Sequence, residues 1–463
     1  MAKAVFGKFV LYVLVCFCMA CGNSFADDNP DSIRNEINQL KSRIQAMENK
    51  LNEQDKCMKD QKQCIMEQDK KIAQYESRLS QFDTDLHRQE GVPITVAQGL
   101  EIGVGATMVI QGTNNTNDAA SGITKKESRV DASYSSDITI GKDFEETAGK
   151  AFLHLEAGKG NGLEDNLALY SNVNRDAGDG ETAQVTELWY EQAFLQDKAA
   201  ATFGKIDPTA YFDNNEAAND ETTQFLGRIF RNSPVVEFPD NTAGMRIVYA
   251  PLESLELGYG ILDGDGDWEK IGDNLFNIAQ ITFKTNFFNQ PGNYRLYGWN
   301  NNTYHTKWHD SSAQKEDSHG FGLSFDQKTN DITTLFCRYG WQDPKVYNPD
   351  TKATEDGFEY SLEQSWSAGL QLEGKKWGRE KDALGFAVGQ VIPSDDYKKI
   401  GTSSVSSPRA KTEGHLEAYY RICVNDNLSI SPDIQYIWNP FGKDVEDDTS
   451  SVFVGGMRAQ VDF

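Results

Sequence analysis

From Pro93 to the last residue the chain is written in segments of about ten residues in which apolar and polar side chains alternate, joined by connections that are short and long by turns. This rhythm constrains the fold more than any other feature, because alternation sends successive side chains to opposite faces of a strand, and segments of that length suit tilted strands crossing a bilayer. Candidate strands lie at 100-110, 128-143, 149-160, 184-196, 198-207, 243-252, 255-263, 275-286, 292-301, 319-328, 331-342, 365-377, 382-393, 413-424, 428-439 and 451-463, sixteen in all. Long polar connections at 111-127, 161-183, 208-242, 264-274, 302-318, 343-364, 394-412 and 440-450 alternate with short turns such as Glu146-Thr147-Ala148 and Asn289-Gln290-Pro291. In the last strand Phe453, Gly455, Met457, Ala459, Val461 and Phe463 share one face, and Arg458, Gln460 and Asp462 the other. Beyond the N-terminus no stretch approaches the ~20 apolar residues of a transmembrane helix. A membrane-spanning mature chain must therefore use strands closed into a barrel, which leaves no unpaired edge in lipid. A soluble β-sandwich alternates similarly but does not explain sixteen strands ending on Phe463 behind an export signal. The expected fold is an all-β transmembrane barrel of about 16 antiparallel strands (100-463), preceded by a hinge (91-99) and an α-helical coiled-coil stalk (27-90).

The export signal is residues 1-26. Lys3 and Lys8 precede an apolar run from Phe9 to Ala20, and Ser24-Phe25-Ala26 supplies small residues for cleavage. A lipoprotein site at Cys21 is the rival, but Cys18-Met19-Ala20 lacks the usual aliphatic residue. The chain carries a formal charge of −25, which argues against nucleic acid and anionic surfaces as partners. Of seven cysteines, Cys16, Cys18 and Cys21 leave with the signal, and Cys57, Cys64, Cys337 and Cys423 show no zinc-ligand spacing. No cofactor or metal is expected.

The stalk is read from its heptads. Ile37, Ile44, Leu51, Met58, Ile65, Ile72, Leu79 and Leu86 recur every seven residues, with Gln54, Gln61 and Gln68 at the other core position. A polar layer of this kind specifies register and oligomer state, and this pattern favours three strands over two. A lone amphipathic helix lying on another surface is the alternative. The even strand count puts the stalk on the periplasmic side, where peptidoglycan or another periplasmic component is a candidate partner.

If the apolar faces meet lipid, the opposite faces line the lumen. Arg246, Arg295, Arg338, Arg421 and Arg458 then face inward, as do His154, Glu156, Glu187, Glu191, Glu417 and Asp433. Such charges are either solvated and mutually paired or create a transverse field that orients polar solutes. Trp189 and Trp299 also fall on inward faces, where an aromatic plate can stack on a sugar ring or simply pack. The third long connection contains a candidate short helix, Asp220 to Arg231, with Phe225, Leu226, Ile229 and Phe230 on it. Its apolar face is expected to pack inside the lumen as a constriction carrying Asp213, Glu216, Asp220, Glu221, Arg228 and Arg231, the rival being an outer protein-binding loop. Asp263-Gly264-Asp265-Gly266-Asp267 begins like a calcium loop, but position twelve is Asn274, so it is read as a solvated acidic turn.

Phe203-Gly204-Lys205-Ile206-Asp207, Phe225-Leu226 with Phe230, the run Asp382 to Gly389, and above all Glu413 to Pro440 and Gly455 to Phe463 resemble segments of the carbohydrate-selective porin family (OprB type). The resemblance covers most of residues 100 to 463 and none of the stalk. It implies a sixteen-stranded barrel in the outer membrane with passive, sugar-favouring diffusion. The expected function is thus a trimeric porin for small hydrophilic solutes and ions. A structural barrel that anchors the stalk is the alternative, and the scattered histidines assemble no triad for an enzyme.

Overall fold

The computed structural model describes residues 99–117, 127–144, 146–178, 182–310, 315–349, 360–400, 410–443 and 449–463. The expected export signal, the expected coiled coil and the expected hinge up to residue 98 lie outside the described residues.

The strands run in chain order as β1 (Leu100–Thr113), β2 (Arg129–Phe144), β3 (Gly149–Lys159), β4 (Gln184–Phe194), β5 (Ala199–Ile206), β6 (Thr242–Leu252), β7 (Leu255–Asp263), β8 (Leu275–Thr285), β9 (Gly292–Lys307), β10 (Glu316–Asn330), β11 (Thr333–Gln342), β12 (Val346–Tyr347), β13 (Leu362–Glu373), β14 (Ala383–Pro393), β15 (Glu413–Cys423), β16 (Leu428–Trp438) and β17 (Ser451–Asp462). All but the two-residue β12 belong to one antiparallel meander. It closes where β1 pairs with β17, from Gly105 opposite Asp462 to Thr113 opposite Val454, while β1 also pairs with β2. The barrel therefore has sixteen strands, matching the sequence expectation strand for strand. β12 was not expected; it pairs with Lys307 and Thr306, where β9 runs beyond the barrel on the long-loop side. Residues 374–377, expected as the end of a strand, form a 3-10 turn closed by Gly378 at φ 75°.

The pleat sorts the side chains. Ile102, Val104, Met108 and Ile110 of β1 are exposed to the outside, whereas Thr107, Val109 and Gln111 between them are buried toward the lumen. Aromatic clusters gather next to the short turns, with Tyr190 between Phe144 and Phe203, Tyr294 between Phe287 and Phe325, and Trp377 against Tyr420. Such a band suits the level of a bilayer interface. Among the described residues no helix is long and apolar enough to cross a membrane; α1 (Arg228–Arg231) and α2 (Asp395–Ile400) are single short turns of helix in long connections.

Candidate functional site

The third outer loop, between β5 and β6, lies inside the barrel. Its first anchor is Phe212, packed with Phe276, Ile278 and Trp299; Gly260 on β7 makes room, since a Cβ there would stand 2.8 Å from the Phe212 ring. Asn215 then donates to Ser324 and to the Phe325 carbonyl on β10. Asp213 forms a buried ion pair with Arg338 of β11 at 3.2 Å, and Arg338 also donates to the carbonyls of Asp213 and Phe230. Farther on, Phe225, Ile229 and Phe230 pack against Phe336, Ala387, Val391 and Tyr419 of the wall.

The backbone between these aromatics docks on a carboxylate. Glu417 of β15 accepts from the N–H groups of Leu226 at 2.6 Å and Gly227 at 2.9 Å. Position 227 tolerates this approach because it lacks a side chain; a Cβ there would lie 2.8 Å from the carboxylate and 3.0 Å from the His415 ring. Arg458 of β17 donates to the carbonyls of Glu221 and Gln224. The helix expected over Asp220 to Arg231 is confined to α1. Asp220 instead folds back to accept from Thr222 and Thr223, an Asx-type turn that competes with helix, and Gly227, with an extended backbone, marks where α1 begins.

A second loop also enters the lumen. Leu163, Leu167, Leu169 and Val173, from the connection after β3, pack on Ile437, Val452 and Val454. Glu413 holds this loop by accepting from the N–H groups of Tyr170 and Ser171. The two loops join directly, Arg175 N–H donating to the Leu226 carbonyl and Ile229 N–H to the Ser171 carbonyl. Nothing in the sequence expectation placed this loop inside, although its spaced leucines carried the signal: an outer loop with four aliphatic anchors needs an apolar partner.

What remains open lies against the opposite wall. A cavity of about 520 Å³ runs between β1, β2 and β3 on one side and the loop residues Asp176, Asp220, Glu221 and Arg231 on the other. Asp137 and Glu156 bring two more carboxyl groups from the wall, and Ser135 and Thr139 bring hydroxyls. His154 bridges Asp137 at 2.8 Å and Glu187 at 3.8 Å. Arg231 is tied to Glu221, to Thr209 and more distantly to Asp207 at 3.9 Å. Asp176 accepts from Ser135; burial, reinforced by Glu221, Asp137 and Glu156 nearby, pushes its carboxyl up to about 8.

The residues expected to line the pore divide accordingly. Arg338, Arg458, Trp299, Glu417 and Asp433 stand on inward-facing strand positions but are buried beneath the two loops, so the expected lining is corrected at these five. Arg295, also buried, pairs with Asp326. Arg246 is half-buried, 3.4 Å from Glu191 and with its guanidinium 4.3 Å from the Tyr211 ring centre. Trp189 stacks on Phe152 at 5.0 Å and donates to Glu187. Arg421 is half-buried opposite Ala383. On the loop, Glu216 presents its backbone N–H to Asp326, Asp213 is consumed by Arg338, and Arg228 keeps an exposed side chain. Of the arginines expected to face inward, Arg338 and Arg458 therefore serve as the loop's fastening.

Residues 137–463 match the family model of the carbohydrate-selective porin, OprB family. Porin B of Pseudomonas aeruginosa is 24% identical, over 63% of this chain and 71% of that protein. An uncharacterized protein of Aquifex aeolicus is 23% identical, over 74% and 85%. The structure of Pseudomonas putida OprB at high pH superposes with a TM-score of 0.64 at 18% identity, covering 80% of this chain and 95% of that one, which is a likeness of fold.

Proposed function

The chain belongs to the carbohydrate-selective porin, OprB family, and we propose on that premise that it admits sugars and other small hydrophilic solutes by passive diffusion, through the gap between its third outer loop and the β1–β3 wall. It is an outer-membrane porin and not an enzyme. The observation that carries the route is the polar cavity on one side of a lumen whose other side is filled by two anchored loops. Its rim offers mainly carboxyl, amide and hydroxyl oxygens, which accept hydrogen bonds from sugar hydroxyls. Among the residues that line this cavity, Arg231 and His154 face the carboxyl groups of Asp137, Glu156, Asp176, Asp220, Glu221 and Asp462. This charge pattern favours neutral sugars and cations over phosphorylated sugars and other anions.

The test is swelling of liposomes carrying the purified protein, in a graded series of neutral sugars and amino acids, with bilayer conductance in parallel. Swelling should be faster in monosaccharides than in amino acids of similar size. Passage of amino acids with exclusion of sugars would remove the carbohydrate preference, and a silent bilayer would return the barrel to the role of an anchor.

Three further parts of this reading rest on the sequence: export by residues 1-26, a periplasmic coiled coil over 27-90 that reaches toward peptidoglycan or another periplasmic partner, and a homotrimer, which the Gln54, Gln61 and Gln68 layers support. Full-length protein that sediments as a monomer in detergent would end the trimer proposal.

A further inference from the structure

At the end of β7 that faces the long loops, Asp263, Asp265 and Asp267 bring one oxygen each to within 4.8 Å of one another. Calcium holds oxygens at ~2.3–2.6 Å, so ligands on opposite sides of one ion stand ~4.6–5.2 Å apart. All three carboxylates can therefore reach a single ion. Like charges at this spacing repel, and among the described residues none of the three is paired with a lysine or arginine. Each is held by one neutral donor: Trp268 N–H to Asp263, Asn274 to Asp265 and Glu269 N–H to Asp267.

A second observation points to a missing partner rather than to a solvated turn. Asp263 is only 1% exposed, and its Oδ1 is buried with no hydrogen-bond donor. A buried anionic oxygen without a donor or cation is strongly disfavoured. The Thr242 hydroxyl on the neighbouring β6 is likewise buried and without a partner, 3.9 Å from where a Cβ on Gly266 would stand. Gly266 has φ +66° and lets the chain turn tightly between the last two carboxylates.

We propose that the turn from Asp263 to Asp267 is a calcium site, with these three carboxylates as ligands and backbone carbonyls or water completing the shell. Hard carboxylate oxygen donors on a surface turn suit calcium better than magnesium, which demands a near-ideal octahedron and releases its waters reluctantly. The Asn274 that breaks the twelve-residue calcium-loop pattern has a different task here: it orients Asp265 and is itself held by Lys315. An ion at this place fastens the fourth outer loop to the end of the barrel. The proposal is independent of what the pore carries.

The full-length chain, refolded into detergent free of lipopolysaccharide and stripped with a chelator, is titrated with terbium. Trp268, exposed and next to Asp267, is placed to sensitise its luminescence. Calcium should displace the terbium, and equilibrium dialysis should find a single calcium ion per chain, with affinity in the ~10⁻⁴–10⁻³ M range of extracellular modules. The double variant Asp265→Asn, Asp267→Asn, at two exposed positions, should lose that ion while still running as a heat-modifiable barrel. Trp268→Phe should lose the luminescence and keep the calcium. No bound calcium at ~10 mM, unchanged binding in the double variant, or displacement of calcium by equal magnesium would each overturn the proposal.

Discussion

Arg338 shows how far a residue's role depends on what covers it. It is 1% exposed, and replacing it with Met removes the counter-charge of the buried Asp213, which keeps the Ser233 N–H, and the donor to the Asp213 and Phe230 carbonyls, a loss of roughly 3–5 kcal/mol. The expected outcome is a displaced third loop, read as a larger and noisier single-channel conductance and a lower unfolding temperature. Arg421→Gln should keep the wild-type conductance level, since no loop hangs on that side chain among the described contacts. Asp176 sets a pH dependence. With its carboxyl raised to about 8, it is largely neutral at neutral pH and adds a negative charge as pH rises through that value. Reversal potentials under a salt gradient should therefore become more cation-selective between about pH 7 and about pH 9, and Asp176→Asn should flatten that step. Screening should shrink the effect as salt rises, because the Debye length falls from ~10 Å at 0.1 M to ~3 Å at 1 M. Stability follows the opposite sign: the folded chain keeps this proton between the unfolded value of ~3.9 and about 8, so stability from this group falls as pH climbs through that window.

The third loop is an element held in place by burial more than by secondary structure. Phe225 and Phe230 are each at most 1% exposed, and truncating either to Ala is expected to cost ~3–5 kcal/mol, mostly as loss of loop docking. Variants carrying both changes should swell liposomes in oligosaccharides that the parent excludes, while still resisting denaturation by detergent without heat; an unchanged size limit would detach this loop from the conducting path. Part of this docking was legible in advance, since an apolar run in a polar loop needs a cavity. A second signal lay in the wall itself: Gly260 and Gly340 face inward, and a Cβ at Gly340 would collide with Ser233 and Val235. Inward glycines mark where backbone from elsewhere approaches. The route of the loop was not legible, because its contacts to β10, β11, β14, β15 and β17 join residues more than a hundred positions apart, as Asn215 and Phe325 do.

For the whole molecule, the described barrel closes by pairing β1 with β17, both of which follow Gly99. A chain lacking residues 33 to 86 should still insert as a heat-modifiable barrel with wild-type conductance. Failure of that chain to insert would show that the N-terminal segment takes part in barrel assembly. The calcium site, on the loop side of β7, should be unaffected by the same deletion.

The sequence by itself determined the number of strands, their order and which face of each meets lipid. Those properties follow from period-two alternation and from turn length, both of which are local. The pairing of neighbours in a meander needs no more than that. Only the tertiary structure decided which inward residues meet water. Arg338, Arg458, Trp299, Glu417 and Asp433 satisfy the same alternation as Asp137, His154 and Glu156, yet two loops cover the first group and leave the second open. The physical reason is that an inward position names a direction, whereas exposure in a lumen depends on which distant segment fills it, and that is settled by long-range packing of side chains such as Phe212, Phe225 and Leu163.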